Sequence, residues 1–130
     1  METMFWHRPT DRPFTVAVCT DCASEQRSPL IESLRGVIRH CSQGALVLSE
    51  CVFGDLDCDL RWSGSGVVVM MQACTIDRVP RGPMLAIGPI ACPDDIEAVC
   101  EWLERGKWDY RALPERLRPP AGSASRRRYP

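Results

Sequence analysis

The chain has 130 residues, 45% hydrophobic and 25% charged, with a formal net charge of -1 and eight cysteines. This is enough for one domain with its own core, and so balanced a charge does not suggest overall electrostatic steering of nucleic acid. No run approaches the roughly 18 apolar residues of a spanning helix, and "METMFWHRPTDRPF" lacks the apolar centre of a secretory signal, so a cytoplasmic protein with no membrane or nucleic-acid partner is expected.

Residues 1–13 read as a polar N-terminal arm with two prolines, in which Phe5 and Trp6 could dock on the body. "FTVAV", Phe14 to Val18, has the β-branched, apolar composition of a buried strand. After the turn "CTDC" a helix is expected, with Ser28 as N-cap and Pro29 at the first helical position, where its missing N–H costs nothing. Leu30, Leu34, Val37, Ile38 and Cys41 recur at helical spacing, and Gly44 ends the run. Ala45 to Ser49 reads as a second strand. An acidic irregular loop, "ECVFGDLDCDLRWSGSG", follows it.

"VVVMMQA", Val67 to Ala73, is the strongest strand signal, and "MLAIGPIA", Met84 to Ala91, is a plausible antiparallel partner. A last helix begins near Pro93, with Asp94 and Asp95 at its positive end and Ile96, Val99, Cys100 and Leu103 as its buried stripe. Gly106 is the expected C-cap. Residues 114–130 contain Arg118 and the run Arg126, Arg127 and Arg128, and read as a disordered basic tail. The domain proper is therefore placed at 14–113. The element order, βαβ followed by ββα, is that of the thioredoxin-like fold: an α/β architecture with a central mixed four-stranded sheet and helices on both faces.

A reducing cytosol disfavours structural disulfides, so eight cysteines direct attention to metal, cluster or redox roles. In such a fold the segment after the first strand and the loop after the second can share one end of the sheet. Those places hold Cys19 and Cys22, then Cys51 and Cys58, the ligand count for a 2Fe-2S cluster or a structural zinc. A thiol-disulfide oxidoreductase using Cys19 as nucleophile and Cys22 as resolving thiol is the third reading. Against it, the helix cap is six residues beyond Cys22, and glycine stands before Val67 where thioredoxin enzymes carry a proline. Cys41 and Cys100 fall on helix stripes and read as core residues; Cys74 ends a strand, and Cys92 precedes a helix whose N-terminus can activate a thiol. His7 and His40 stand at no ligand spacing from the CxxC.

The element order, the cysteine after the first strand, the pair after the second, "GVVVMMQ", and the closing "GPMLAIGPIACPDDIEAVCEWLERG" together resemble the thioredoxin-like 2Fe-2S ferredoxins, most of all actinobacterial 2Fe-2S ferredoxin domain-containing proteins. The likeness spans roughly Val16 to Leu113. It implies an iron–sulfur, metal-binding electron carrier rather than an enzyme, holding its cluster through Cys19, Cys22, Cys51 and Cys58 and passing electrons to or from a redox partner protein. A homodimer is compatible with it. The family's usual spacing of the second pair would put the fourth ligand at Asp55, three residues before Cys58, and Asp55 is the substitute ligand. The usual second-ligand place holds Leu30 and Ile31. A cluster-free or zinc-binding interaction protein is the alternative. Asp55, Asp57 and Asp59 would steer a basic partner.

Overall fold

The computed structural model describes residues 9–19, 25–49 and 66–118. Four strands, β1 (Phe14–Cys19), β2 (Gly44–Ser49), β3 (Val67–Ala73) and β4 (Leu85–Ile90), form one sheet in the order β2-β1-β3-β4. β1 and β2 are parallel and joined through α1 (Arg27–His40), whereas β3 lies antiparallel to both β1 and β4. The second helix, α2 (Pro93–Arg105), follows β4. Two 3-10 turns, Tyr110–Ala112 and Glu115–Leu117, come after it. The mixed four-stranded α/β architecture expected from the sequence is present.

The helices do not flank the sheet on both sides. Side chains of α1 (Leu30, Leu34, Val37) and α2 (Ile96, Val99, Trp102, Leu103) share one core with Phe14, Val16, Val18, Val67, Val69 and Met71. A hydrogen bond between His40 Nδ1 and Glu104 Oε2, 3.3 Å long, joins the two helices directly. The reason lies in the strand alternation: Phe14, Val16 and Val18 place three large side chains on one face, and both amphipathic helices are drawn to it. The other face carries a smaller cluster of Ala17, Val68, Met70 and Ala86. A stripe of helical spacing states that a face is buried, but not which side of the sheet buries it.

Two helix limits also have a local cause. α1 begins two residues earlier than expected: Gln26 is its N-cap, already in right-handed helical geometry and without a side-chain cap bond. Ser28 is thus inside the helix, and Pro29 occupies its third position, where the missing N–H is still among the first-turn groups without an intrahelical partner. Gly44 starts β2 rather than ending α1, which closes at Cys41 through a 2.8 Å bond from the Cys41 N–H to the Val37 carbonyl. Its lack of a side chain admits the Phe14 ring, since a Cβ here would lie 2.7 Å from Phe14 Cζ. In β4, Gly88 has φ +143, and a Cβ there would lie 2.8 Å from the Val67 carbonyl oxygen, at a register shift between β3 and β4. Pro89 follows it on the sheet edge, where no ladder donor is needed.

The packed body extends beyond both expected limits. Thr10 donates its N–H to the Glu104 carbonyl at 2.8 Å, the Arg12 guanidinium bonds the Gly106 carbonyl, and it lies 4.4 Å over the Trp108 ring. At the other end, residues 114–118, assigned from sequence to the disordered basic tail, are ordered. Leu113 and Leu117 are buried in the main core, and Arg116 Nε bonds Asp95 Oδ1 at 2.6 Å. No helix among the described residues is long and apolar enough to cross a membrane.

Candidate functional site

Strand direction gives the sheet two chemically different ends. At one, Cys19 of β1 is in register with Ser49 of β2, while β3 begins and β4 ends beside them, with Val67 opposite Ile90. α1 and α2 both start from this end, so both helix dipoles present their positive poles toward it. At the other, Phe14 is opposite Gly44 and Ala73, and α1 and α2 finish.

Cys19 is the one member of the sequence-derived ligand set that lies within the described residues, and it is fully buried at the end of β1. Cys22, Cys51, Cys58 and the substitute ligand Asp55 lie outside them, as do Asp57, Asp59 and His7. The strand register nevertheless fixes where their segments attach. Cys22 is three residues beyond Cys19, and Cys51 is two beyond its register partner Ser49. The chain leaves β2 at Ser49 on one flank of β1 and enters β3 at Val67 on the other.

The remaining cysteines separate clearly from this end. Cys74 directly follows β3, whose residue Ala73 opposes Phe14, so the full length of β1, about 16 Å at 3.3 Å per residue, divides it from Cys19. There it receives the Arg78 guanidinium, whose Nη1 is 3.5 Å from its Sγ and also donates to the Phe14 and Gln43 carbonyls at 3.0 Å each. Cys41, fully buried beside the start of β2, has its thiol pushed up to about 11 by burial and by the negative charge of Glu104. Cys100 is pushed up to about 12 by burial, then by Glu104 and Glu97. Both are protonated thiols at neutral pH, poorly suited to bind metal, as core roles require.

Cys92 is the exception, because it caps α2 at the Cys19 end and is only half-buried. Its thiol hydrogen-bonds the Asp95 carboxylate. Burial raises the Asp95 carboxyl, but bonds from the Ala91 N–H (3.0 Å), Arg116 and Cys92 outweigh it and hold it below the ordinary carboxylate value. Sequence alone gives Asp95 only a dipole role; in the fold it is 3% exposed and joins Ala91, Cys92 and Arg116. His40 bonds Glu104 rather than a cysteine. Among the described residues no group of three or more His, Cys, Asp or Glu side chains gathers as a metal site.

Fold and site thus define an α/β chain with a mixed four-stranded sheet, one helical layer and a buried cysteine at the end from which the other candidate cysteines depart. Comparisons with models of protein families, with curated proteins and with solved structures give no match to this chain.

Proposed function

We propose that the chain is a thioredoxin-like 2Fe-2S ferredoxin of the cytoplasm, holding its cluster at the Cys19 end of the sheet and exchanging single electrons with a protein partner. The observation that carries this reading is the register of Cys19 with Ser49. It attaches the segments of Cys22 and of Cys51 and Cys58 to neighbouring strand ends. The order β2-β1-β3-β4, built from a βαβ unit and a ββα unit, supports the thioredoxin-like assignment.

The donor set fits the group by its chemistry. Four thiolates satisfy a 2Fe-2S centre. Cys41 and Cys100 are held protonated, and Cys74 is a strand's length away. Cys19, Cys22, Cys51 and Cys58 would hold the cluster, with Asp55 as the substitute for Cys58. The bound cluster would supply reversible one-electron transfer. Burial of Cys19 keeps water from one side of such a site, and the two helix N-termini favour the negative charge of a tetrathiolate centre.

Anaerobic purification with metal and sulfide analysis tests the reading. About two irons and two sulfides per chain, with visible charge-transfer bands, are expected. Cys19→Ser should lose or strongly deplete them, while Cys74→Ser should retain them. A chain still iron-free after anaerobic reconstitution overturns the proposal, and one tightly held zinc in its place selects the structural-zinc alternative.

A further inference from the structure

α1 and α2 run side by side in the same direction, and the seam between their outer faces is a groove of about 600 Å³. Val37 and Ile96 form its floor, flanked by Gly36 of α1 and Cys100 of α2. Gly36 keeps the α1 side low, since a Cβ there would meet nothing nearer than Arg39 Nη2 at 3.8 Å. The α2 side is acidic. Glu97 and Glu104 line it seven residues apart, on the same side of the helix, and among the described residues no ion pair neutralises the exposed Glu97.

We propose that this groove docks an amphipathic helix of a partner protein, antiparallel to α1 and α2, with apolar side chains on the seam and lysines or arginines over Glu97 and Glu104. Backbone chemistry selects a helix. The walls are helices whose own N–H and C=O groups are bonded within them, so an extended segment laid here would lose its water and find no ladder partners. A helix brings its backbone bonds with it and offers only side chains to the seam.

Length and charge fit the same occupant. At 1.5 Å per residue the groove follows α1 for about 21 Å, from Gln26 to His40, and α2 for about 16 Å, from Pro93 to Glu104. That accommodates a helix of about 14 residues. Glu97 and Glu104 lie about 10 Å apart along α2, so basic residues at the same helical spacing on the occupant meet both at once. His40 already bonds Glu104 at 3.3 Å, which makes Glu97 the stronger anchor. Orientation follows from the dipoles: α1 and α2 end beside His40 and Glu104, and their negative poles favour the positive N-terminal end of the incoming helix there. A second copy docked about a two-fold axis would instead bring two acidic rims together. The inference is independent of what the cysteines bind.

The test uses the full chain and a fluorescein-labelled, alanine-based peptide of about 18 residues, with leucines at a and d spacing and one lysine per heptad along a flank. A second peptide carries glutamate in place of each lysine. Fluorescence anisotropy should show saturable binding of the lysine peptide, weaker by about three- to tenfold for the glutamate peptide and for Glu97→Lys. Glu97→Lys should in turn bind the glutamate peptide better than wild type does. Gly36→Gln should abolish detectable binding by filling the seam, and because glutamine is the better helix former the loss is not one of folding. Methyl NMR shifts on adding peptide should centre on Val37 and Ile96. Absence of saturable binding overturns the proposal, as do equal affinities for the two peptides, binding unchanged by Gly36→Gln, or shifts centred on the exposed Val47 and Leu48 of β2. So do Val37 and Ile96 shifts that follow the chain's own concentration without peptide, which would make a second copy the occupant.

Discussion

Replacing Asp95 by Asn removes one negative charge from a carboxylate that is 3% exposed, with little change of shape. The Asn oxygen can still accept from Ala91, but the 2.6 Å bond from Arg116 Nε loses its ionic partner. Hydrogen bonds to charged groups contribute roughly 1.5–3 kcal/mol. The Arg116 side chain is half in solvent, which screens part of this, so a loss of about 1–2 kcal/mol is expected. For a folded body of this size that corresponds to a melting point lower by about 5–10 °C. Urea unfolding followed by circular dichroism measures it directly.

The pH dependence supplies a second, independent constraint. The folded carboxyl lies below its ordinary value of 3.8, so Asp95 binds its proton less readily in the native state than in the unfolded one. Its stabilisation is present above the unfolded pKa and is lost as pH falls through the folded pKa. The gap between wild type and Asp95→Asn should therefore be level from pH 6 to 8 and shrink below about pH 4. Equal unfolding midpoints at pH 7, or a gap that widens toward acid, would refute the linkage of α2 to the C-terminal turn.

Two further outcomes follow from the same packing. Leu117→Ala should cost about 2–5 kcal/mol by leaving a cavity in the main core, and urea midpoints at wild-type level would return residues 114–118 to the tail. At pH 8 the thiolate fractions of Cys41 and Cys100 are about one in a thousand and one in ten thousand. Iodoacetamide should therefore label them far more slowly in the native chain than in urea, as read by peptide mass spectrometry. Labelling at equal rates would contradict their burial.

The strands were legible because two independent signals coincide in them. Val67 to Ala73 combines β-branched residues with flanking glycine and polar turns, and its limits agree with β3. α2 was equally legible, with Pro93 at its start and Gly106, at φ +76, closing it. Trp102 lies outside the stripe read from the sequence, yet it is buried and donates its Nε1–H to the Asp109 carbonyl at 3.0 Å. What sequence does not encode locally is long-range assignment. The stripes of α1 and α2 could not reveal that they share a sheet face. Leu113 and Leu117, set among prolines and arginines, gave no periodic sign that they enter the core. Of the candidate site, Cys19 and its place at a strand end were readable, whereas the partnership of Cys92, Asp95 and Arg116 depends on a turn 21 residues beyond Asp95.

The clamp at Arg78 bears on how freely the chemistry could be altered. One guanidinium nitrogen fastens the entry to β1, the approach to β2 and the exit from β3, all at the end remote from Cys19. Strand alignment is thus anchored like the heel of a hand, with Cys19 at the opposite end of the sheet. Lengthening the stretch between Ser49 and Gly66 acts on the free side of that anchor, and doubling a loop costs only about 0.6 kcal/mol in closure entropy. A three-residue displacement of a ligand, such as that from Asp55 to Cys58, can then be absorbed without disturbing the sheet.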